Sequence, residues 1–422
     1  MTSAEEPTSP FEIIEATAMQ QAIPRPLTPI PEADAKSESR VTKFHRDADL
    51  HIVIKSSEGD PAIYMVCGSA IACASIVWRS MLYCDSPSAH SAENAVKCGQ
   101  PQTMSLDGDP GALSLIFRIV HYDFGYVPKE PSLDQLFELG KSVCQYKCTH
   151  ILYPWADQWT SSLSNFVAAD NCYAECHKAL YVAWAFGDLK LFRDMVDVLI
   201  VSAKIDADGK IVNSCGEPLK DMLIPDGLLE IIIETRASTI AHILDTISKP
   251  IRDLSSGVQV QRSTYCKVGK DSEACEVMML GSMIPGLAQA GLFPIPEPKQ
   301  FTGSIECLKS QLEKIKTIPY VGKEWAPHMS HEGCNLGFGE SVAMCLKLMV
   351  VPLNSGIMTW MSDQAKICGI KPTRELEEWQ QKSEDGALEP SLESDHLKNG
   401  FKNEEYDNDG SESAQEEKPE VD

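Results

Sequence analysis

The chain lacks the features that would announce most catalytic or targeting functions. Of its 422 residues only 37 are Lys or Arg, against 61 Asp or Glu, for a net charge of −24. Phosphate backbones recruit clustered cations, because neutralising phosphate releases counterions. No such cluster is present, so direct nucleic-acid binding is not expected. The same sign disfavours docking on an anionic bilayer. No run approaches the roughly 18 apolar residues that span a membrane. Glu5 and Glu6 stand where a secretory signal needs positive charge and then an apolar stretch. The expected location is therefore the cytoplasm or nucleus.

Catalytic signatures are missing as well. There is no Gly-x-Ser-x-Gly elbow, no phosphate-cradling Gly-x-x-x-x-Gly-Lys-Ser/Thr loop and no His-Glu-x-x-His. The Gly-rich stretch Gly333–Gly339 has no following Lys and no preceding strand, and reads as a loop. The chain is read as a non-enzyme. A thiol enzyme using Cys334 and His331 is the alternative of another class.

What is present divides the chain into four parts: residues 1–45, 46–165, 166–375 and 376–422. Six prolines between Pro7 and Pro31, mixed with Ser, Thr and acids, mark 1–45 as a disordered tail; a short helix over Phe11–Ile23 is the lesser reading. From 381 onward there are 14 acids and 4 bases, a self-repelling run that marks the other tail. A chain without a secretory signal keeps most thiols reduced. The 15 cysteines are therefore mainly small core hydrophobes, including the i, i+4 pairs Cys144/Cys148 and Cys172/Cys176.

Between the tails, Leu50, Ile52 and Ile54 alternate as a strand, Ser56–Pro61 turns, and Ile63, Tyr64 and Val66 return. A helical stretch, a helix pair in the order of elements, follows from Gly68 to Tyr83, with Trp78, Met81 and Leu82 inward. Cys84–Pro101 reads as an exposed loop, and Thr103–Leu106 as a strand. Asp109 caps a helix with Pro110 at its first position and Leu113, Ile116, Phe117 and Val120 as its apolar stripe. Ser132 and Gln135 have capping-box spacing, ahead of Leu133, Leu136, Phe137 and Leu139. Further helices are expected over 149–159, 173–186 and, capped by Asp188, 189–201.

This order resembles the BTB/POZ domain. Asp49-Leu50-His51-Ile52-Val53-Ile54 is similar to the family's opening strand, and Tyr64 to Ile71 to the approach to its first helix. Ala74 to Leu82 resembles "A-S-P-V-F-R-A-M-L", and Leu106 to Leu113 resembles "L-P-D-D-D-P-E-A-L". Ile119 to Tyr122, Val127-Pro128, Leu136 to Leu139, Tyr146-Lys147-Cys148 and Pro154-Trp155-Ala156 match a filamentous-fungal variant. The chain departs from the pattern at Ser69, where the family often has a His paired with the opening Asp. It departs again at Ile76, in place of Pro, and in the inserted 84–101 loop. The resemblance implies a small sheet flanked by helices, an α+β fold that works by self-association or partner binding. It also implies, as an alternative, a substrate adaptor on a cullin ubiquitin ligase.

Residues 166–375 are expected to form an all-helical module. One long helix starts after Ile224-Pro225-Asp226-Gly227, carries Leu229, Ile232, Ile233, Ile240, Ile243, Leu244 and Ile247, and ends at Lys249-Pro250. Another spans 275–290, with Val277, Met278, Leu280 and Met283 on its apolar face. Fungal relatives resembling this chain carry a "C…C-D/E-x-φ-φ-L-G-S" stretch and a later "H-x-x-C". The matching residues here are Cys266, Cys275, His331 and Cys334. Three thiolates and one imidazole satisfy structural Zn²⁺. His328 is the alternative to His331, and separate unliganded thiols are the alternative to a site.

Overall fold

The computed structural model describes residues 41–55, 61–83, 102–167, 172–255, 265–318, 320–321 and 330–384. The Phe11–Ile23 helix, the turn from Ser56, the 84–101 loop, His328 and the acidic run from 385 lie outside them. Among the described residues the chain is mixed α/β, with thirteen α-helices, a four-stranded sheet and a two-stranded one.

The sheet grows from β2 (Leu50–Ile54), where Leu50, Ile52 and Ile54 are buried and the residues between them half-exposed. That alternation is the strand pleat read as burial. β2 pairs antiparallel with β3 (Ala62–Val66), Ile52 opposite Tyr64, and parallel with β4 (Gln102–Leu106), Ile52 opposite Met104. β1 (Val41–Lys43) lies parallel to β3 and gives the order β1-β3-β2-β4. β1 thus falls inside the segment read as tail. Phe44, which follows it, packs edge-on to Tyr64 and Phe117.

The helix pair expected over Gly68–Tyr83 is α1 (Gly68–Ala74) and α2 (Ile76–Tyr83). Ser75 separates them in extended geometry. Its Oγ accepts from Trp78 N at 3.1 Å and donates to the Tyr146 carbonyl. The hydroxyl competes with the helix for its own backbone, which ends one helix and caps the next. Trp78 is fully buried against Phe117 and Tyr146, at ring distances of 5.6 and 5.1 Å.

Asp49 and His121 each hold the backbone at the entry to α1. Asp49 Oδ1 accepts from Gly68 N at 2.7 Å, and His121 Nε2 accepts from Cys67 N at 3.0 Å. His121 Nδ1 faces the Phe117 carbonyl at 2.7 Å, so it carries the proton. Burial holds the His121 pKa below its ordinary value, although the Phe117 hydrogen bond opposes this. A depressed folded pKa means that the unfolded chain binds more protons. Stability is then complete above the unfolded value of about 6.5 and falls as pH drops toward the folded value. His121→Phe should therefore destabilise the protein by about 1 kcal/mol near neutrality. It should also flatten the stability difference between about pH 5.5 and about pH 7.5, as read by urea titration. An unchanged pH slope would refute that role.

α3 (Pro110–Val120) and α4 (Leu133–Gln145) begin as expected. Asp109 Oδ1 accepts from Ala112 N at 2.7 Å, and Ser132 with Gln135 forms a full capping box. The 149–159 stretch is a 3-10 turn (Thr149–Leu152) followed by α5 (Ala156–Val167). α6 (Cys172–Phe186) and α7 (Leu189–Ser202) form a helical hairpin, with Asp188 capping α7 through Leu191 N at 3.0 Å. Gly187 turns between them at φ +86°; a Cβ there would lie 2.2 Å from Ala365 N.

The expectation of an all-helical module fails at β5 (Lys204–Ile205) and β6 (Ile211–Val212), a short antiparallel hairpin. Its cause is local. Asp206 Oδ1 accepts from Asp208 N and Lys210 N, and Gly209 supplies φ +79°. The long helix α8 (Leu228–Ser255) also corrects the sequence reading, because it runs through Pro250 and does not stop there. Pro250 is buried, so tertiary packing outweighs the one lost backbone bond. On α8, Ile232, Ile240, Ile243, Leu244 and Ile247 are buried, whereas Ile233 is exposed. Arg236 is buried with no carboxylate partner among the described residues and donates to the carbonyls of Ala203, Phe301 and Gly303. It ties α8 to the end of α7 and to the segment 301–303.

α9 (Ser272–Gln289), α10 (Ile305–Glu313), α11 (Phe338–Lys347), α12 (Ser355–Cys368) and α13 (Arg374–Glu384) complete the order. α12 returns to α6, where Trp360 stacks on Trp184 at 4.6 Å and donates to its carbonyl. One unbroken hydrophobic core runs from Leu50 to Leu376, and it contains both Trp78 and Phe117, with Phe137 packed against it. Cys148 and Cys176 lie in it, fully buried.

Candidate metal centre

A second, much smaller cluster stands apart from this core. It comprises Cys266, Cys275, Met279 and Cys334, with Tyr265, Val268 and Tyr320 packed around it. His331 joins the three thiols. The ligand atoms of Cys266, Cys275, His331 and Cys334 all lie within 4.8 Å of one another, and all four residues are buried. The four residues picked out in the sequence are thus brought together from three segments.

Each segment is shaped to present its donor. Cys266 opens a tight turn in which the Val268 and Gly269 backbone N–H groups point at its sulfur, with Gly269 at φ +80°. Lys267 N donates to Cys334 Sγ at 3.3 Å. Cys275 stands on the helix expected from it onward, in the first turn of α9, which begins at Ser272, and its N–H bonds to the Asp271 carbonyl. That placement sets the helix phase. Cys275, Met279, Met283 and Leu287 face inward at i, i+4 spacing, while Val277 and Met278, expected inside, are exposed. His331 and Cys334 close a turn through Cys334 N and the His331 carbonyl at 2.8 Å.

The distances suit a cation. Cys266 Sγ is 3.3 Å from His331 Nδ1 and 4.0 Å from Cys334 Sγ, and Cys334 Sγ is 3.9 Å from His331 Nδ1. A tetrahedral Zn²⁺ with metal–sulfur bonds of about 2.3 Å would space such donors by roughly 3.5–3.8 Å. The Nδ1 atom of His331 is the one that faces the sulfurs. Tyr320 supports the imidazole edge-on at 5.6 Å.

The electrostatics also separate these thiols from core cysteines. Burial, with the charge of neighbouring Cys144, pushes Cys148 up to about 12, and burial pushes Cys144 up to about 12 against hydrogen bonds to Tyr181 and Thr149. At Cys266 burial raises the pKa too, but the Val268 and Gly269 N–H groups and the Cys334 and Cys275 thiols bring it below the ordinary value. Cys275 is raised to about 11 by burial and by the negative charge of its two sulfur neighbours. Crowded thiolates repel each other, and a divalent ion at their centre reverses that penalty. The four residues could hold a metal ion.

No family model and no curated protein matches the chain.

Sequence reasoning missed the supporting shell. Glu276 Oε1 accepts from Tyr265 N at 3.1 Å and Cys266 N at 3.4 Å, which fixes the first ligand loop against α9. Tyr265 O–H donates to Asp253 Oδ2 at 2.8 Å and so ties that loop to the end of α8. The acidic residue directly after Cys275 was the one available sign. Among the described residues, no helix is long and apolar enough to cross a membrane.

Proposed function

We propose that this chain is a non-catalytic protein–protein interaction protein. In this reading a BTB/POZ-like domain over 46–165 carries the interaction, and a structural Zn²⁺ held by Cys266, Cys275, His331 and Cys334 organises the module that follows. The observation that supports it most is where the resembling motifs sit. The Asp49–Ile54 stretch includes the central strand β2, which pairs antiparallel with β3 and, after the α1–α2 helix pair, parallel with β4. The metal reading rests on the donor set: soft thiolates plus imidazole in a closed, buried group of four suit structural zinc.

The thiol-enzyme alternative is disfavoured by burial. Cys334 is 1% exposed and His331 3%, so a substrate has no path to the sulfur without local opening. An interaction surface is easier to find. Val41 of β1 and Ile76 and Tyr83 of α2 are apolar and more than half exposed.

Sedimentation velocity tests the interaction. The full chain should run as a dimer, and Ile76→Glu, at a surface position, should shift it toward monomer. A chain that stays monomeric and captures neither a cullin nor another protein would reject the reading. Cullin capture by a monomer would instead select the ubiquitin-ligase adaptor role.

A further inference from the structure

The three sulfurs of the metal centre are held differently, and the difference bears on how the centre responds to an oxidant. Cys266 is 8% exposed, against 0% for Cys275, 3% for His331 and 1% for Cys334. It is therefore the ligand that a small molecule from solvent meets first. Cys334 Sγ lies 4.0 Å from Cys266 Sγ, and Lys267 N already donates to it at 3.3 Å. Both residues sit on turns: Cys334 N closes the second turn onto the His331 carbonyl. A disulfide has an S–S bond of about 2 Å, so the two sulfurs must approach by about 2 Å more. Turns can make that movement. Cys275 cannot make it as readily, because its backbone is bonded into the first turn of α9.

The surroundings set this group apart from the other thiols. Cys148 and Cys176 are fully buried in the main core. The metal cluster lies outside that core, with only Met279 inside it and Tyr265, Val268 and Tyr320 around it. Its sulfurs are thiolates whenever zinc is bound, because coordination requires the deprotonated form. The thiolate is also the form that reacts with peroxide.

We propose that the centre is a redox switch: hydrogen peroxide converts Cys266 and Cys334 to a disulfide, and the zinc is released. The inference rests on the zinc reading above and adds its regulation. The Cys266 thiolate attacks one peroxide oxygen, the O–O bond breaks, hydroxide leaves, and Cys266 becomes a sulfenic acid. The Cys334 thiolate then attacks the Cys266 sulfur and displaces a second hydroxide as the S–S bond forms. The two thiolates lose two electrons, and the peroxide gains them as two hydroxides. Cys275 and His331 remain, half of a four-donor set, and the site no longer retains its ion.

The test uses the unaltered full chain loaded with zinc, so no variant has to fold. A bulky maleimide first caps the exposed thiols Cys73, Cys215 and Cys307, and hydrogen peroxide is then added. A chromogenic chelator reads zinc release, and mass spectrometry of the digest reads cross-links. One equivalent of zinc should appear in step with one Cys266–Cys334 disulfide. A phosphine reductant with added zinc should restore the starting state, and dimedone present during oxidation should label Cys266. The switch is overturned, with the metal centre left standing, by any of three results. Zinc stays bound under peroxide that fully oxidises Cys307 in an uncapped sample, the cross-link joins Cys275, or zinc leaves without a disulfide. A chain that neither carries nor takes up zinc overturns both readings.

Discussion

Cys334→Ser should strip the protein of one equivalent of zinc and lower its melting temperature by more than any surface substitution. The purified wild-type chain should carry one zinc per molecule by elemental analysis. The reason is linkage: a site assembled only in the folded state contributes its binding free energy to folding. Structural zinc in small peptides binds with roughly 10–16 kcal/mol of apparent free energy, comparable with the whole stability of an ordinary domain, about 5–15 kcal/mol. The cluster has little else to hold it, since its apolar content is Met279 with Tyr265, Val268 and Tyr320 at the margin. Chelation should therefore expose the segments around 265–275 and 330–337 to protease before the main core yields. Cys307→Ser, at an exposed thiol outside the cluster, is the control and should keep its zinc. Metal-free wild-type protein whose Cys334→Ser variant melts normally would discard the centre.

Gly187→Ala should cost about 4 kcal/mol or more, the range reserved for backbone strain combined with a steric clash. The turn needs φ +86°, and the added methyl would meet Ala365 N at 2.2 Å and Gln364 C at 2.7 Å. Those are backbone atoms of α12, which cannot swing aside as a side chain can. Gly209→Ala provides the comparison. It has a similar φ of +79° but nothing within 4 Å, so it should lose only about 1–2 kcal/mol from the left-handed conformation. Urea midpoints of the two variants isolate the cost of the close approach. Equal losses would mean that α6 and α12 can separate freely at this point.

The local features were legible in the sequence, and the distant ones were not. Asp109, Ser132 and Asp188 were readable as caps because a cap bonds to a backbone two or three residues away. The DADGK turn at 206–210 obeys equally local chemistry but was passed over, since two-residue strands leave no alternation to notice. Pro250 misled because a proline's local cost is visible in sequence, while the packing that overrides it is not. The phase of α9 was misread for a related reason. Counting Val277 and Met278 as inward follows hydropathy, but the helix is rotated so that Cys275 reaches its partners. The ligand quartet itself could be picked out because thiols in polar stretches have no packing explanation. Arg236 and Glu276 have no sequence pattern, as each acts on backbone groups ten or more residues away that only the fold brings near.

The packing of α4 on α6 carries a practical lesson for anyone dissecting the chain. The two helices meet at Gly140, where even a Cβ would make ordinary contact with Ala185 and Tyr181 at 3.5–3.6 Å. A fragment cut near residue 165 would remove Tyr181, against which Phe137 and Cys144 of α4 pack, and so uncover that flank of α4. Such a bait would be adhesive in a two-hybrid or pull-down screen for reasons unrelated to its native contacts. Partner searches are therefore better run with the intact chain and single surface substitutions than with truncations.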